Sequence, residues 1–162
     1  PYFYAPTVGK KYEVGIIPHY VDKQHPWVEA QRREPGVRVI DVEADTWEFV
    51  RQVRSCAVVV SSSLHGLICA DAYQVPSVWI ILSEQLLGGA FKFRDYHLAT
   101  GGADPRPCVV EPSSSLAAVV GQARPPCANA DLKRLLLACP FLRADFRAKV
   151  EVGDLGSGIF AD

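Results

Sequence analysis

The sequence predicts an α/β domain built on a doubly wound, mainly parallel sheet. Short apolar segments rich in β-branched residues recur along the chain. Between them lie segments whose apolar residues have three- and four-residue spacing, and glycine, proline or serine marks most of the junctions. This alternation is typical of right-handed βαβ units, in which neighbouring strands run parallel.

The first part of the chain predicts two strands and two helices. Residues 13–20, EVGIIPHY, are an apolar run closed by proline and histidine, as expected of a buried strand that ends in a loop. The helical pattern VEAQRRE follows, and residues 37–42, VRVIDV, predict the second strand. Asp45 is suited to cap a helix that carries Glu48 in its first turn, so we expect a helix over residues 46–55.

The centre of the chain repeats this pattern. The run AVVV at residues 57–60 is typical of a central strand covered on both faces by helices. A helix is predicted over residues 64–74, with Pro76 just beyond its end, and SVWIIL at residues 77–82 predicts the next strand. This succession is Rossmann-like.

The last part of the chain has weaker patterns. A glycine-containing loop leads into a short predicted helix at FKFRDYH, and residues 107–111 predict a last strand. Two further helices are predicted, one capped by serines over residues 113–122 and one over residues 131–139. We interpret residues 141–162 as a tail, and a single domain over residues 1–162 is the simplest organisation for a chain of this length.

Composition excludes several classes of function. The net charge is −1 and charges of both signs are mixed, so we expect no nucleic-acid binding. No apolar run reaches the roughly 18 residues of a membrane helix, and the start of the chain lacks the order of a signal peptide, so we expect a cytoplasmic domain without a transmembrane segment. The five cysteines lack CxxC spacing and are interpreted as reduced thiols, with no metal site. The absence of methionine is consistent with a piece of a longer polypeptide.

The segment VVVSSSLHGLICADAYQVPSVWI gives the strongest functional signal. Three consecutive serines lie where the predicted strand meets the predicted helix: Ser61, Ser62 and Ser63. A helix start at the carboxyl end of a parallel strand presents free amides and a partial positive charge, so we expect this turn to bind a phosphate or carboxylate. Gly66 would let the backbone approach closely, and His65 would act as a hydrogen-bond donor or proton carrier. The alternative is a simple helix cap beside a hydrogen-bonded core histidine.

Two other segments would reach the same edge of the sheet. His19 follows the first predicted strand, and Lys92 and Arg94 follow the fourth. Together with the serine turn they would provide the donors that an anionic ligand needs. The alternatives are a surface histidine and a solvated helix face.

Three segments together resemble a known family. In their order and spacing, GIIPHYVDK, VIDVEADTWEFVRQVRSCAVVVSSSLHGLICADAYQVPSVWI and KFRDYHLATG resemble the carboxyl-terminal half of polysaccharide pyruvyltransferases over about residues 13–101. That family transfers pyruvate from phosphoenolpyruvate to two hydroxyls of a sugar, forming a cyclic ketal, on a two-domain fold similar to the glycosyltransferase B type.

The resemblance implies a role for this chain. It would be the Rossmann-like carboxyl-terminal domain of such an enzyme, lacking its amino-terminal domain and acting in the biosynthesis of a polysaccharide or cell-surface glycan. Phosphoenolpyruvate and a sugar or glycan would be its substrates, without a further cofactor, and His65 in Leu-His-Gly would be catalytic. Some members carry arginine where Ser63 stands here, so this chain departs from the family in part of its anion-binding group.

Two other functions remain open at this point. A glycosyltransferase donor domain of the same fold would bind a nucleotide-sugar at the same helix start, although Glu84 and Trp79 suit the ribose and the base poorly. A noncatalytic interaction domain would retain the fold without its partner half. Even a pyruvyltransferase domain is expected to be inactive alone if its ligands bind between two domains.

Overall fold

The computed structural model describes residues 4–84, 89–100, 106–126 and 132–152. The chain divides into two compact units, Val8–Ala128 and a smaller one made of Pro1–Thr7 with Asn129–Asp162. The single domain expected over residues 1–162 stays a prediction. Within the described ranges, no helix is both long and apolar enough to cross a membrane.

The larger unit contains five parallel strands in the order β2-β1-β3-β4-β5. The strands are β1 (Tyr12–Ile17), β2 (Val37–Val39), β3 (Cys56–Ser61), β4 (Ser77–Ile81) and β5 (Cys108–Val109). In the register, Ile16 of β1 pairs with Val39 on one side and with Val60 on the other. This is a doubly wound order with its switch point between β1 and β3, the place where ligands of such folds bind. The predicted α/β fold is confirmed.

Helices cover both faces of this sheet. They are α1 (Pro26–Gln31), α2 (Thr46–Arg54), α3 (Leu64–Ala72), α4 (Phe91–Ala99) and α5 (Leu116–Val120). Trp27 of α1 and Val119 of α5 join the core cluster that contains Val60. Leu67 of α3 and Phe93 of α4 pack on Trp79 instead. Because successive residues of a strand face opposite sides, these two clusters lie on opposite faces of the sheet.

Local signals located the helix between β2 and β3 to within one residue. The carboxylate of Asp45 accepts hydrogen bonds from the amides of Trp47 and Glu48, as a helix cap does, and α2 begins directly after it. The two edge strands are shorter than the predicted segments 37–42 and 107–111. An edge strand has only one neighbour, so its pairing ends where that neighbour's register ends.

The smaller unit contains a helix pair, α6 (Leu132–Leu137) and α7 (Ala144–Val152). The interpretation of residues 141–162 as a tail stays a prediction, and α7 lies within these residues. Phe146 and Val150, four residues apart, lie on one side of α7 and are buried. The guanidinium of Arg147 donates to the carbonyl of Leu137 at 2.8 Å, which satisfies a free carbonyl at the end of α6. A single pair of buried residues was too weak a pattern to predict a helix without its partner.

Candidate active site

Two strand ends meet at the switch point of the sheet. Ile17, the last residue of β1, pairs with Ser61, the last residue of β3. After β1 the chain enters a short 3-10 helix at Tyr20–Asp22, and after β3 it enters α3. The carboxyl ends of parallel strands diverge here and open a crevice, so residues of both loops can reach one ligand.

Ser61 shapes the turn from inside. The side chain of Ser61 is fully buried. Its Oγ lies 3.0 Å from the carbonyl oxygen of Ile17 and 2.8 Å from the carbonyl oxygen of Ser63, and these two acceptors share the single hydroxyl proton. The same oxygen accepts a hydrogen bond from the amide of Ser63 at 3.0 Å. The structure therefore places this hydroxyl in the hydrogen bonding of the backbone, beneath the crevice.

Ser62 and Asp22 join three loops. The Oγ of Ser62 accepts from the amide of His19 at 2.9 Å and donates to Oδ2 of Asp22 at 3.2 Å. The other carboxylate oxygen of Asp22 accepts from the Oγ of Ser83, after β4, at 2.5 Å. Asp22 is only 3% exposed, so a buried carboxylate holds the loops that follow β1, β3 and β4 together. Asp22 was not among the predicted site residues, because one acidic residue in a loop carries no periodic signal.

The start of α3 retains unpaired amides. Ser63 precedes the helix, but its side chain accepts no hydrogen bond from the first turn. Its carbonyl accepts from the amides of Gly66 and Leu67 at 3.1 and 3.3 Å. Among the described residues, the amides of Leu64 and His65 have no partner. These amides and the helix dipole make the start of α3 electropositive.

His65 projects from this first turn into solvent. Its side chain is exposed and makes no hydrogen bond or ion pair with the described residues. The structure thus gives this ring a position open to a ligand instead of the core position that was the alternative. Within the same described ranges, no group of three or more His, Cys, Asp or Glu side chains could hold a metal ion.

His19 lies close to Lys92 and His65. Burial lowers its pKa, and the charges of Lys92 and His65 lower that pKa further against the opposing effect of Asp22. Its Nδ1 is buried without a hydrogen-bond partner in the described part of the chain, and its ring lies 4.4 Å from the ring of Tyr20. The pKa of His19 therefore lies below the ordinary histidine value, which favours the neutral form of the ring.

The helix α4 presents its two cations to different sides. Phe93 is fully buried and stacks on Trp79 with ring centroids 4.5 Å apart, which anchors the helix to the sheet. Lys92 is half-buried and acts on His19, whereas Arg94 is exposed. Residues two apart on an α-helix are related by a rotation of about 200° around the helix axis, so their side chains point to nearly opposite sides. Lys92 therefore lies on the side of α4 that faces His19, and Arg94 lies on the opposite, exposed side of the helix.

Gly66 is a packing requirement of α3. A Cβ atom at this position would lie 3.0 and 3.1 Å from two carbons of the Ile17 side chain and would overlap the Oγ of Ser61. The backbone at Gly66 approaches the ends of β1 and β3 closely, and its predicted approach to a ligand stays a prediction. It sets the position of the first turn of α3, which carries His65.

Known proteins show similarity to this chain. A family model described as polysaccharide pyruvyl transferase matches residues 2–84, a range that includes the serine turn and His65 but not Lys92. Uncharacterized protein L143 of Acanthamoeba polyphaga mimivirus is 39% identical over 89 residues, which cover 52% of this chain and 31% of that protein.

Succinoglycan biosynthesis protein ExoV of Rhizobium meliloti (strain 1021) is 29% identical over 115 residues, which cover 71% of this chain and 35% of that protein. The chain thus spans about a third of the length of these curated relatives. No solved structure matches it significantly.

Proposed function

Because this chain belongs to the polysaccharide pyruvyl transferase family, we propose that it forms the carboxyl-terminal domain of an enzyme that moves pyruvate from phosphoenolpyruvate to two hydroxyls of a sugar as a cyclic ketal. Similarity to a succinoglycan biosynthesis protein supports a polysaccharide or cell-surface glycan as the acceptor. An amino-terminal domain would complete the active site, and a cytoplasmic location stays part of the proposal.

One observation carries this proposal: the exposed imidazole of His65 stands on an electropositive helix start, beside His19 and Lys92. Phosphoenolpyruvate has both a phosphate and a carboxylate. The unpaired amides at the start of α3 suit one of these anions, and the ammonium group of Lys92 suits the other. Neutral His19 would donate a hydrogen bond without adding a charge. Ser63 and Arg94 are kept as weaker contributors to binding.

The proposed transfer consumes two hydroxyl groups. In the first step the C3 of phosphoenolpyruvate gains a proton, and the oxygen of one sugar hydroxyl bonds to C2 and releases its own proton. In the second step the other hydroxyl bonds to C2 while the bond from C2 to the phosphate oxygen breaks. The second hydroxyl proton leaves with inorganic phosphate. One imidazole can carry these protons, a contribution of typically about 10²- to 10⁴-fold, and we assign this role to His65.

No observation favours the nucleotide-sugar alternative. Trp79 would be the side chain to stack on a base, but it is 5% exposed and its ring face is covered by Phe93. An interaction domain does not require an exposed histidine beside unpaired helix amides, whereas proton transfer to an anionic substrate does. The site geometry therefore supports pyruvyl transfer best.

Replacement of His65 in the full-length protein tests the proposal. We expect His65→Ala to lower the rate of phosphate release from phosphoenolpyruvate in the presence of acceptor by about 10²- to 10⁴-fold. Thermal unfolding should stay unchanged because the side chain is exposed. An unchanged rate would remove His65 from the mechanism. Tighter calorimetric binding of a uridine nucleotide than of phosphoenolpyruvate would instead favour the glycosyltransferase alternative.

A further inference from the structure

A cleft of about 420 Å³ opens at the carboxyl ends of β4 and β5. Its described lining comes from the second half of β4, from residues 82–84 and 89–90 before α4, and from the end of β5 with the two residues that follow it. The volume lies within the range of about 300–1,000 Å³ that is usual for small-molecule sites. Ser83 and Trp79, described above, are among the residues that line this cleft, whereas His19, His65 and Lys92 are not among its described lining residues.

The charge of the cleft is opposite to that of the switch point. Glu84 and Glu111 line it and are exposed, and neither carboxylate has an ion pair or hydrogen bond with the described residues. No lysine, arginine or histidine is among its described lining residues. Such a cleft repels phosphoenolpyruvate. Ionised carboxylates only accept hydrogen bonds. Among the groups of an uncharged ligand, hydroxyl groups donate the strongest hydrogen bonds to them.

Apolar side chains face the same space. Ile81 and Val110 line the cleft, and Val109 also lines it while being 64% exposed. A surface that combines the exposed side chain of Val109 with two hydroxyl acceptors matches a sugar ring, which has hydroxyl groups at its edge and C–H groups on its faces. It matches a nucleoside diphosphate poorly, because the carboxylates would face the diphosphate charge.

The cleft is near enough to the switch point for the two to share one reaction. The space between β4 and β5 lies two strand spacings, about 10 Å, from the space between β1 and β3. Ser83, which lines the cleft, donates to Asp22, and Asp22 accepts from Ser62 beneath the switch point. A sugar ring in the cleft would extend its hydroxyl groups toward a donor bound beside His65.

We propose that this cleft is the acceptor subsite and that it binds an uncharged hexose ring through the carboxylates of Glu84 and Glu111. The inference rests on the proposed function, and it adds the class of acceptor. The two carboxylates favour a neutral sugar over a uronic acid or a phosphorylated sugar, because an anionic ring would be repelled.

Binding of simple glycosides to the full-length protein tests this subsite without requiring turnover. The ligands are methyl glycosides of glucose, galactose and mannose, with methyl glucuronide as the anionic counterpart. Their binding is measured by saturation-transfer NMR. We expect at least one hexoside to bind the wild type and methyl glucuronide to bind more weakly. Glu84→Gln and Glu111→Gln should each weaken hexoside binding about tenfold, since each loses a charge-assisted hydrogen bond. Val109→Arg, at an exposed position, should block the cleft without affecting the core.

Controls separate this inference from the proposed function. Glu34→Gln, an exposed substitution before β2 at the other end of the sheet, should leave hexoside binding unchanged. Calorimetry should show equal phosphoenolpyruvate binding by all these variants. If the wild type binds no hexoside, or if both glutamine variants bind hexosides as tightly as the wild type, the subsite is refuted even when phosphoenolpyruvate binds. If hexosides bind as expected and phosphoenolpyruvate does not, the proposed function fails and the sugar site stands.

Discussion

Replacing Gly66 by alanine tests how closely α3 is held against the sheet. The new Cβ would lie 3.0 and 3.1 Å from carbons of Ile17 and nearer still to the Oγ of Ser61. Ile17 is fully buried, and the Ser61 hydroxyl is engaged with three backbone groups, so neither can rotate away freely. Overpacking costs about 1–3 kcal/mol, and disturbing a buried hydrogen bond costs a similar amount. Alanine recovers about 1 kcal/mol of helix propensity. We therefore expect the free energy of unfolding to fall by about 3 kcal/mol.

Urea unfolding followed by circular dichroism measures this change. The matched control is Gly121→Ala at the end of α5, where φ is −59° and the nearest atoms to a new Cβ lie 3.4 and 3.6 Å away. That variant should be as stable as the wild type or more stable by about 0.4–1 kcal/mol. Adding Ser61→Gly to Gly66→Ala should recover part of the loss, because it removes the nearest atom. A Gly66→Ala protein within about 0.5 kcal/mol of the wild type would refute the packing argument.

Three further predictions concern charge and thiol chemistry. Lys92→Gln should weaken phosphoenolpyruvate binding in calorimetry more than Arg94→Gln does, and equal losses would contradict the placement of the two side chains on α4. Lys92→Gln should also raise the pKa of His19 in an NMR titration. The folded state keeps the pKa of His19 below about 6.5, so the unfolded chain binds a proton more readily. The free energy of unfolding should therefore fall as the pH is lowered through about 6.5, and it should fall less steeply in Lys92→Gln. Burial raises the pKa of the Cys69 thiol to about 12. Iodoacetamide at pH 8 should therefore modify half-buried Cys108 and leave Cys69 unmodified, as measured by peptide mapping. Rapid modification of Cys69 would contradict its burial.

Some features of the fold are encoded locally and could be predicted. The helix α2 begins where Asp45 can cap it, and the run AVVV is apolar because β3 is central and covered on both faces. Each of these signals depends on residues within one turn or one strand. For the same reason α7 was missed, since its two buried residues mean little until α6 is paired with it.

The candidate site divides in the same way. A strand that runs into serines and Leu-His-Gly already indicated a helix start at a strand's carboxyl end, and it singled out His65. The serines look alike in sequence, yet Ser61 bonds the backbone beneath the crevice and Ser62 bonds Asp22. Which way each hydroxyl points depends on the register of β3 beside β1, strands more than 40 residues apart.

The sequence by itself determined the alternation of strands and helices, the parallel fold class and the turn that carries His65, because periodicity and helix-start chemistry act over a few residues. Only the tertiary structure decided the strand order, the separation of Lys92 from Arg94, the buried bridge at Asp22 and the acidic cleft beside β5. These features arise from contacts between segments far apart in the chain, and they depend on how strands are ordered and how helices pack across them.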